Sequence, residues 1–116
     1  MKYLNDRDLE ARIHSSEGFL LVAFLSHESV ACRHFIPEYE KIYNTLHLND
    51  SFNPPGGLAV VALNIDENPS ETESLGVFAT PTILLFHKGD QVAKWEGPYS
   101  ALALSDRIIE AVKKRV

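Results

Sequence analysis

Apolar residues crowd one unbroken run, Phe19 through Leu25, and elsewhere recur at spacings that switch between helix and strand. The run has no polar alternation, which predicts a strand buried on both faces, as in a parallel sheet. Upstream, Asn5-Asp6-Arg7-Asp8 opens a short helix with acids in its first turn and Leu9 and Ile13 on one face; Gly18 ends that region. From Ser29 the step becomes three and four: Cys32, Phe35, Ile36, Tyr39, Ile42, Tyr43 and Leu46 predict one helix with a single apolar stripe. Pro37 falls inside that stripe and is expected to kink the helix without ending it.

Asn49 to Gly57 is a turn-rich loop, and Leu58 to Ile65 a second buried strand closed by Asp66-Glu67-Asn68-Pro69. Ser70 to Leu75 predicts a short helix stopped at Gly76. Thr82 to Phe86 and Gln91 to Trp95 predict a hairpin across His87-Lys88-Gly89-Asp90. Ser100 then caps a last helix with Leu104, Ile108, Ile109, Val112 and Val116 facing inward. Helical crossovers between buried strands imply parallel pairing, and the hairpin adds an antiparallel edge. The expected class is α/β: a three-layer α/β/α sandwich with a mixed central sheet of four to five strands, in a single domain over residues 1–116.

Composition narrows the partners. With 116 residues, 45% hydrophobic and 23% charged, the chain can build one genuine core. A net charge of −5 and a pI near 5.4 argue against nucleic acid as a partner. No apolar run approaches the roughly 20 residues of a membrane span, so no membrane is expected as a partner either. Met1 to Gly18 has acids and lacks the apolar centre of a secretory signal, so a cytoplasmic location is expected.

The chemistry converges on one thiol. Cys32 is the only cysteine, so any disulfide it forms is with another molecule. It sits about one turn into a helix that follows a buried strand, where unpaired backbone N–H groups and the helix dipole favour a thiolate. Its place on the apolar stripe fits a small core residue equally well. His27, Cys32 and His34 do not make a metal site, because i, i+2 residues diverge on a helix. His14, His47 and His87 are scattered and read as surface or capping residues. Tyr3, Trp95 and Tyr99 read as edge packing.

Several segments together resemble the thioredoxin family: Val61-Ala62-Leu63-Asn64-Ile65-Asp66-Glu67-Asn68-Pro69, Gly76-Val77-Phe78-Ala79-Thr80-Pro81-Thr82, Leu84-Leu85-Phe86-His87-Lys88-Gly89, and Gly97. The resemblance covers about four fifths of the chain and implies the thioredoxin fold, with a cis peptide before Pro81. It departs at the active-site motif. Where the family carries Trp-Cys-Gly-Pro-Cys, this chain reads Glu28-Ser29-Val30-Ala31-Cys32. The nucleophilic cysteine corresponds to Ser29 and the resolving cysteine to Cys32. The family's buried Asp and its Lys partner correspond to Ala23 and Ala62.

Thiol–disulfide exchange needs one thiolate to attack and a second thiol to resolve the intermediate. Ser29 cannot do the first, although it is a good helix cap. The expected catalytic residues of this degenerate motif, Ser29, Val30, Ala31, Cys32, therefore give no dithiol reductase. They fit a single-thiol protein of redox homeostasis that forms mixed disulfides through Cys32. The resemblance further implies a peptide-binding edge at Thr80 and Pro81, flanked by Glu28 and Gly97, with an apolar rim at Val30, Ala31 and Pro81. The expected partner is a client protein or a low-molecular-weight thiol, with no cofactor and no metal, on a monomer or weak dimer. A non-catalytic binding or chaperone-like module on the same scaffold is the other reading. A Ser-x-x-Cys also occurs in peroxiredoxins, whose wider pattern is missing here.

Overall fold

A computed structural model describes residues Met1–Val116. The elements run β1 (Tyr3–Leu4), α1 (Asp6–Ser15), β2 (Phe19–Leu25), α2 (Val30–Glu40), α3 (Ile42–Leu46), β3 (Leu58–Asn64), α4 (Pro69–Ser74), β4 (Thr82–His87), β5 (Asp90–Glu96) and α5 (Ala101–Arg115). One five-stranded sheet has the order β1-β3-β2-β4-β5. β1 and β2 pair parallel with β3, whereas β4 is antiparallel to β2 and β5 to β4.

β2 lies at the centre and every one of its side chains is buried. Alternation splits them between two cores. Phe19, Leu21, Ala23 and Leu25 face Cys32, Phe35, Tyr39 and Ile42 of α2 and α3, and Leu104, Ile108 and Val112 of α5. Leu20, Val22 and Phe24 face Leu9 and Ile13 of α1 on the other side. An apolar run without alternation is what two covered faces require.

The structure differs from the sequence expectation in several elements. β1 is new: two residues are too few for a periodic signal, and the strand exists because Tyr3 and Leu4 register against Ala62 and Leu63. The helix runs through Pro37 as expected, but the single helix expected from Ser29 to Leu46 is divided at Lys41 into α2 and α3. There the backbone N–H of Lys41 reaches back to Glu38 and Tyr39, a tightened turn from which α3 starts. Ile42 and Leu46 stay buried, while Tyr43 turns out to solvent. Val116 is also exposed, because α5 ends before it.

The hairpin strands run on to His87 and start at Asp90, so each is longer at the turn than expected and only two residues connect them. Lys88 and Gly89 both take positive φ, 52° and 87°, as a turn matching the strands' twist requires. His87 is thereby carried into the sheet opposite Phe19 and is buried, not the surface residue its sequence context implied. The loop before β3 returns to the start of β2 at a close backbone crossing. A Cβ on Gly18 would overlap the Gly56 carbonyl, and Phe19 N–H donates to Gly57 O at 2.9 Å.

Candidate functional site

Parallel pairing of β2 and β3 brings their carboxyl ends to one end of the sheet. Because β4 runs antiparallel, with Thr82 opposite Phe24, the segment entering β4 arrives at that same end. Topology alone thus gathers the β2–α2 loop with Glu28 and Ser29, the β3–α4 turn with Asp66, and Thr80-Pro81. Gly97 joins them because its N–H donates to the Pro81 carbonyl at 2.9 Å. The Thr80–Pro81 peptide is cis.

Ser29 caps α2. Its backbone is extended (φ −82°, ψ 126°) and its Oγ accepts the Cys32 N–H at 3.2 Å, filling one of the donors a helix start leaves unpaired. Its own N–H donates to the Ser26 carbonyl at 3.2 Å, which closes the loop into a turn.

Cys32 lies in the first turn of α2 with 0% of its surface exposed. Its Sγ accepts a hydrogen bond from the Ser26 N–H at 3.4 Å. It belongs to the same apolar cluster as Ala23 and Ala62, which sit side by side in the β2–β3 register. These two positions, where the family resemblance puts an Asp and a Lys, offer no group that can take or give a proton. His27 and His34 are exposed, in contrast to the thiol between them.

Ser26 has no place in the sequence reading, yet it is the most connected residue of the loop. Its hydroxyl donates to Asp66 Oδ2 at 2.9 Å and lies 3.2 Å from Oδ1, and it accepts the Glu28 N–H at 3.4 Å. Asp66 is forty residues away, so no local signal marks the pair. A polar residue at the exit of an all-apolar strand was the only hint. Tyr3, expected to pack at an edge, also borders this loop. It packs against the His27 ring with centroids 5.6 Å apart. Partial burial, then the charge of Glu40, hold its phenol proton above the ordinary range.

Of the apolar rim expected at Val30, Ala31 and Pro81, only Val30 stands in solvent, 59% exposed, while Ala31 is partly buried and Pro81 buried; Phe78, in the segment that leads to Thr80, is 89% exposed. Ala79 uses its carbonyl to accept the Thr82 hydroxyl at 2.6 Å. Thr80 offers a backbone N–H and C=O to which no protein group is bonded. Farther along α2, Glu38 Oε1 accepts the Ala101 N–H at 2.9 Å, which fixes the start of α5 to α2. That hydrogen bond, then the one from Lys41, holds the Glu38 carboxyl below its usual range.

Comparison with known proteins gives one consistent answer. A family model described as Thioredoxin matches residues 1–110. The thioredoxin of Streptomyces clavuligerus is 32% identical over 104 residues, covering 90% of this chain and 89% of that protein. The thioredoxin of Buchnera aphidicola subsp. Schizaphis graminum is 29% identical over 110 residues, covering 95% and 94%. Protein disulfide-isomerase A3 of Gallus gallus is 27% identical over 112 residues; the match takes in 97% of this chain but only 20% of that longer protein. Among solved structures, chloroplastic thioredoxin z superposes with a TM-score of 0.77 at 22% identity, covering 98% of this chain and 95% of the other. Plasmodium falciparum thioredoxin gives 0.75 at 19%, covering 95% and 97%. The two structural likenesses bear on the fold.

Proposed function

Since this chain belongs to the thioredoxin family, we propose that it is a thioredoxin-like protein of thiol redox homeostasis that holds an extended segment of a client protein and runs no dithiol–disulfide cycle. The observation that carries this reading is a contrast at one end of the sheet. The only thiol is fully buried, while the Thr80 backbone pair is free and Val30 and Phe78 stand in solvent beside the loops. An extended peptide pairs with such an edge through main-chain hydrogen bonds, and flanking apolar side chains set its preference. A cytoplasmic setting and a monomer or weak dimer belong to the same proposal.

A second reading keeps Cys32 as a reactive thiol. It is favoured by the Ser26 N–H aimed at Sγ and by the position of Sγ in the first turn of α2. The Cys32 thiolate would attack a disulfide of a client or low-molecular-weight thiol, forming the mixed disulfide and releasing the partner's other sulfur as thiolate. With no second cysteine, only an outside thiol would complete the exchange.

Affinity capture without reductant, followed by a wash with dithiothreitol, separates the two. Clients retained by the wild type and by Cys32→Ser, but lost with Phe78→Asp, support docking. Clients lost with Cys32→Ser and released from the wild type by dithiothreitol overturn docking in favour of covalent capture.

A further inference from the structure

The two loops that flank the candidate site are joined by one side-chain contact. Ser26 belongs to the β2–α2 loop and Asp66 to the turn after β3, and the Ser26 hydroxyl makes the only side-chain hydrogen bond between them. The same residue reaches everything else in its loop. Its N–H touches the Cys32 sulfur, its hydroxyl oxygen accepts from Glu28, and its carbonyl accepts from Ser29. Ser26 is buried, so a released hydroxyl would lack a partner unless the loop moved to give it water.

We propose that Ser26 and Asp66 form a latch that keeps the β2–α2 loop shut over the first turn of α2, and that opening this latch is the step that admits solvent or reagent to Cys32. Both are positioning residues: neither touches a reacting atom through its side chain. A hydrogen bond to a carboxylate is stronger than one between neutral groups, which suits a contact that ties the loop to the neighbouring turn. The inference bears on the second reading of function above but does not depend on it, because the latch can be read without any client.

The test is amide hydrogen exchange, residue by residue, with the rate of Cys32 alkylation by iodoacetamide alongside it. Asp66→Ala is the informative variant, since Asp66 makes no hydrogen bond to residues 27–32. Exchange at Ser29 and Cys32 and alkylation at Cys32 should rise together, on the order of ten- to a hundredfold, the range expected for losing one hydrogen bond to a charged group. Ser26→Ala, which also removes the acceptor of the Glu28 N–H, should raise both rates at least as far, and adding Asp66→Ala to it should add little, as for two ends of one contact. Glu67→Gln, next to the latch but bonded to Asn64 instead, should leave both rates unchanged. Rates within twofold of wild type in Asp66→Ala and Ser26→Ala would overturn the latch. An equal rise at the core amides Leu21–Phe24 would overturn it as well, because the effect would then be global. Clients still captured by latch variants with unchanged preference would leave the docking proposal standing while the latch fails or holds on its own readout.

Discussion

Ser29 Oγ stands 3.2 Å from the backbone nitrogen of Cys32 and accepts its proton. Ser29 thus holds the start of the helix that carries the only thiol. Ser29→Ala should cost about 1 kcal/mol of stability and Ser29→Gly only a few tenths, the ordinary difference for a lost helix cap. Urea denaturation of the wild type and the two variants measures this. Equal stability for the wild type and Ser29→Ala would mean that the cap is not used.

Reduction of insulin with a thioredoxin reductase should be negligible for the wild type, because a single cysteine cannot complete a dithiol cycle. Ser29→Cys should recover part of the activity. Ala23 and Ala62, buried side by side below Cys32, still lack a proton acceptor. Adding Ala23→Asp to Ser29→Cys should raise the rate further. Full recovery from Ser29→Cys by itself would show that this pair of alanines does not limit the chemistry.

His87 should make the fold sensitive to mild acid. Its ring stacks on Phe19 at 4.1 Å, its Nδ1 accepts from Arg115 Nε at 3.0 Å, and its buried Nε2 has no partner. Burial first, then the positive charges of Arg115 and Lys88, push its pKa below 6.5, with Asp90 opposing. The unfolded chain therefore binds this proton more readily than the folded one. Stability tied to neutral His87 is complete above pH 6.5 and is lost as pH falls from there through the lowered folded value. Denaturation midpoints from pH 8 to pH 5 should decline for the wild type more steeply than for His87→Phe, which keeps the stacked ring without the charge. Parallel profiles would exclude this role.

Tyr39 ties α2 to the sheet through a buried hydroxyl, which donates to the Val61 carbonyl at 2.7 Å and lies 3.3 Å from that of Leu21. Tyr39→Phe keeps the ring and removes the bond, so a loss of about 1 kcal/mol is expected on denaturation. Burial drives the phenol pKa well above 10. Tyr39 should accordingly stay silent in an absorbance titration until the protein unfolds in alkali.

Much of the fold was legible because its strongest signals are local. An apolar run without alternation could only be a doubly covered strand, and Lys88-Gly89 between two strands could only be a tight turn. What the sequence left out was set by contacts far apart in the chain. β1 exists through its register with Ala62 and Leu63, and the division of the expected single helix at Lys41 had no mark in the sequence pattern. At the site, Ser29 was legible as a helix cap and Cys32 as a residue of the first turn of that helix. Ser26 was not, since its significance lies in a carboxylate forty residues away that no spacing rule connects to it. The resemblance to a family located the loops, but the hydrogen bonds between them had to be seen in three dimensions.

The crossing of Gly18 and Gly56 divides the long loop before β3 into two regimes. With Phe52 buried and the Gly57 carbonyl engaged by Phe19, the exit of the loop is pinned to the start of the central strand. Its exposed stretch around Asn49 to Ser51 carries no such obligation. Added length should therefore be accepted at the tip, where lengthening a loop raises its closure entropy only slowly, and rejected within a residue or two of the crossing. The place to graft a tag or a reporter into this protein without disturbing the thiol is the tip of that loop.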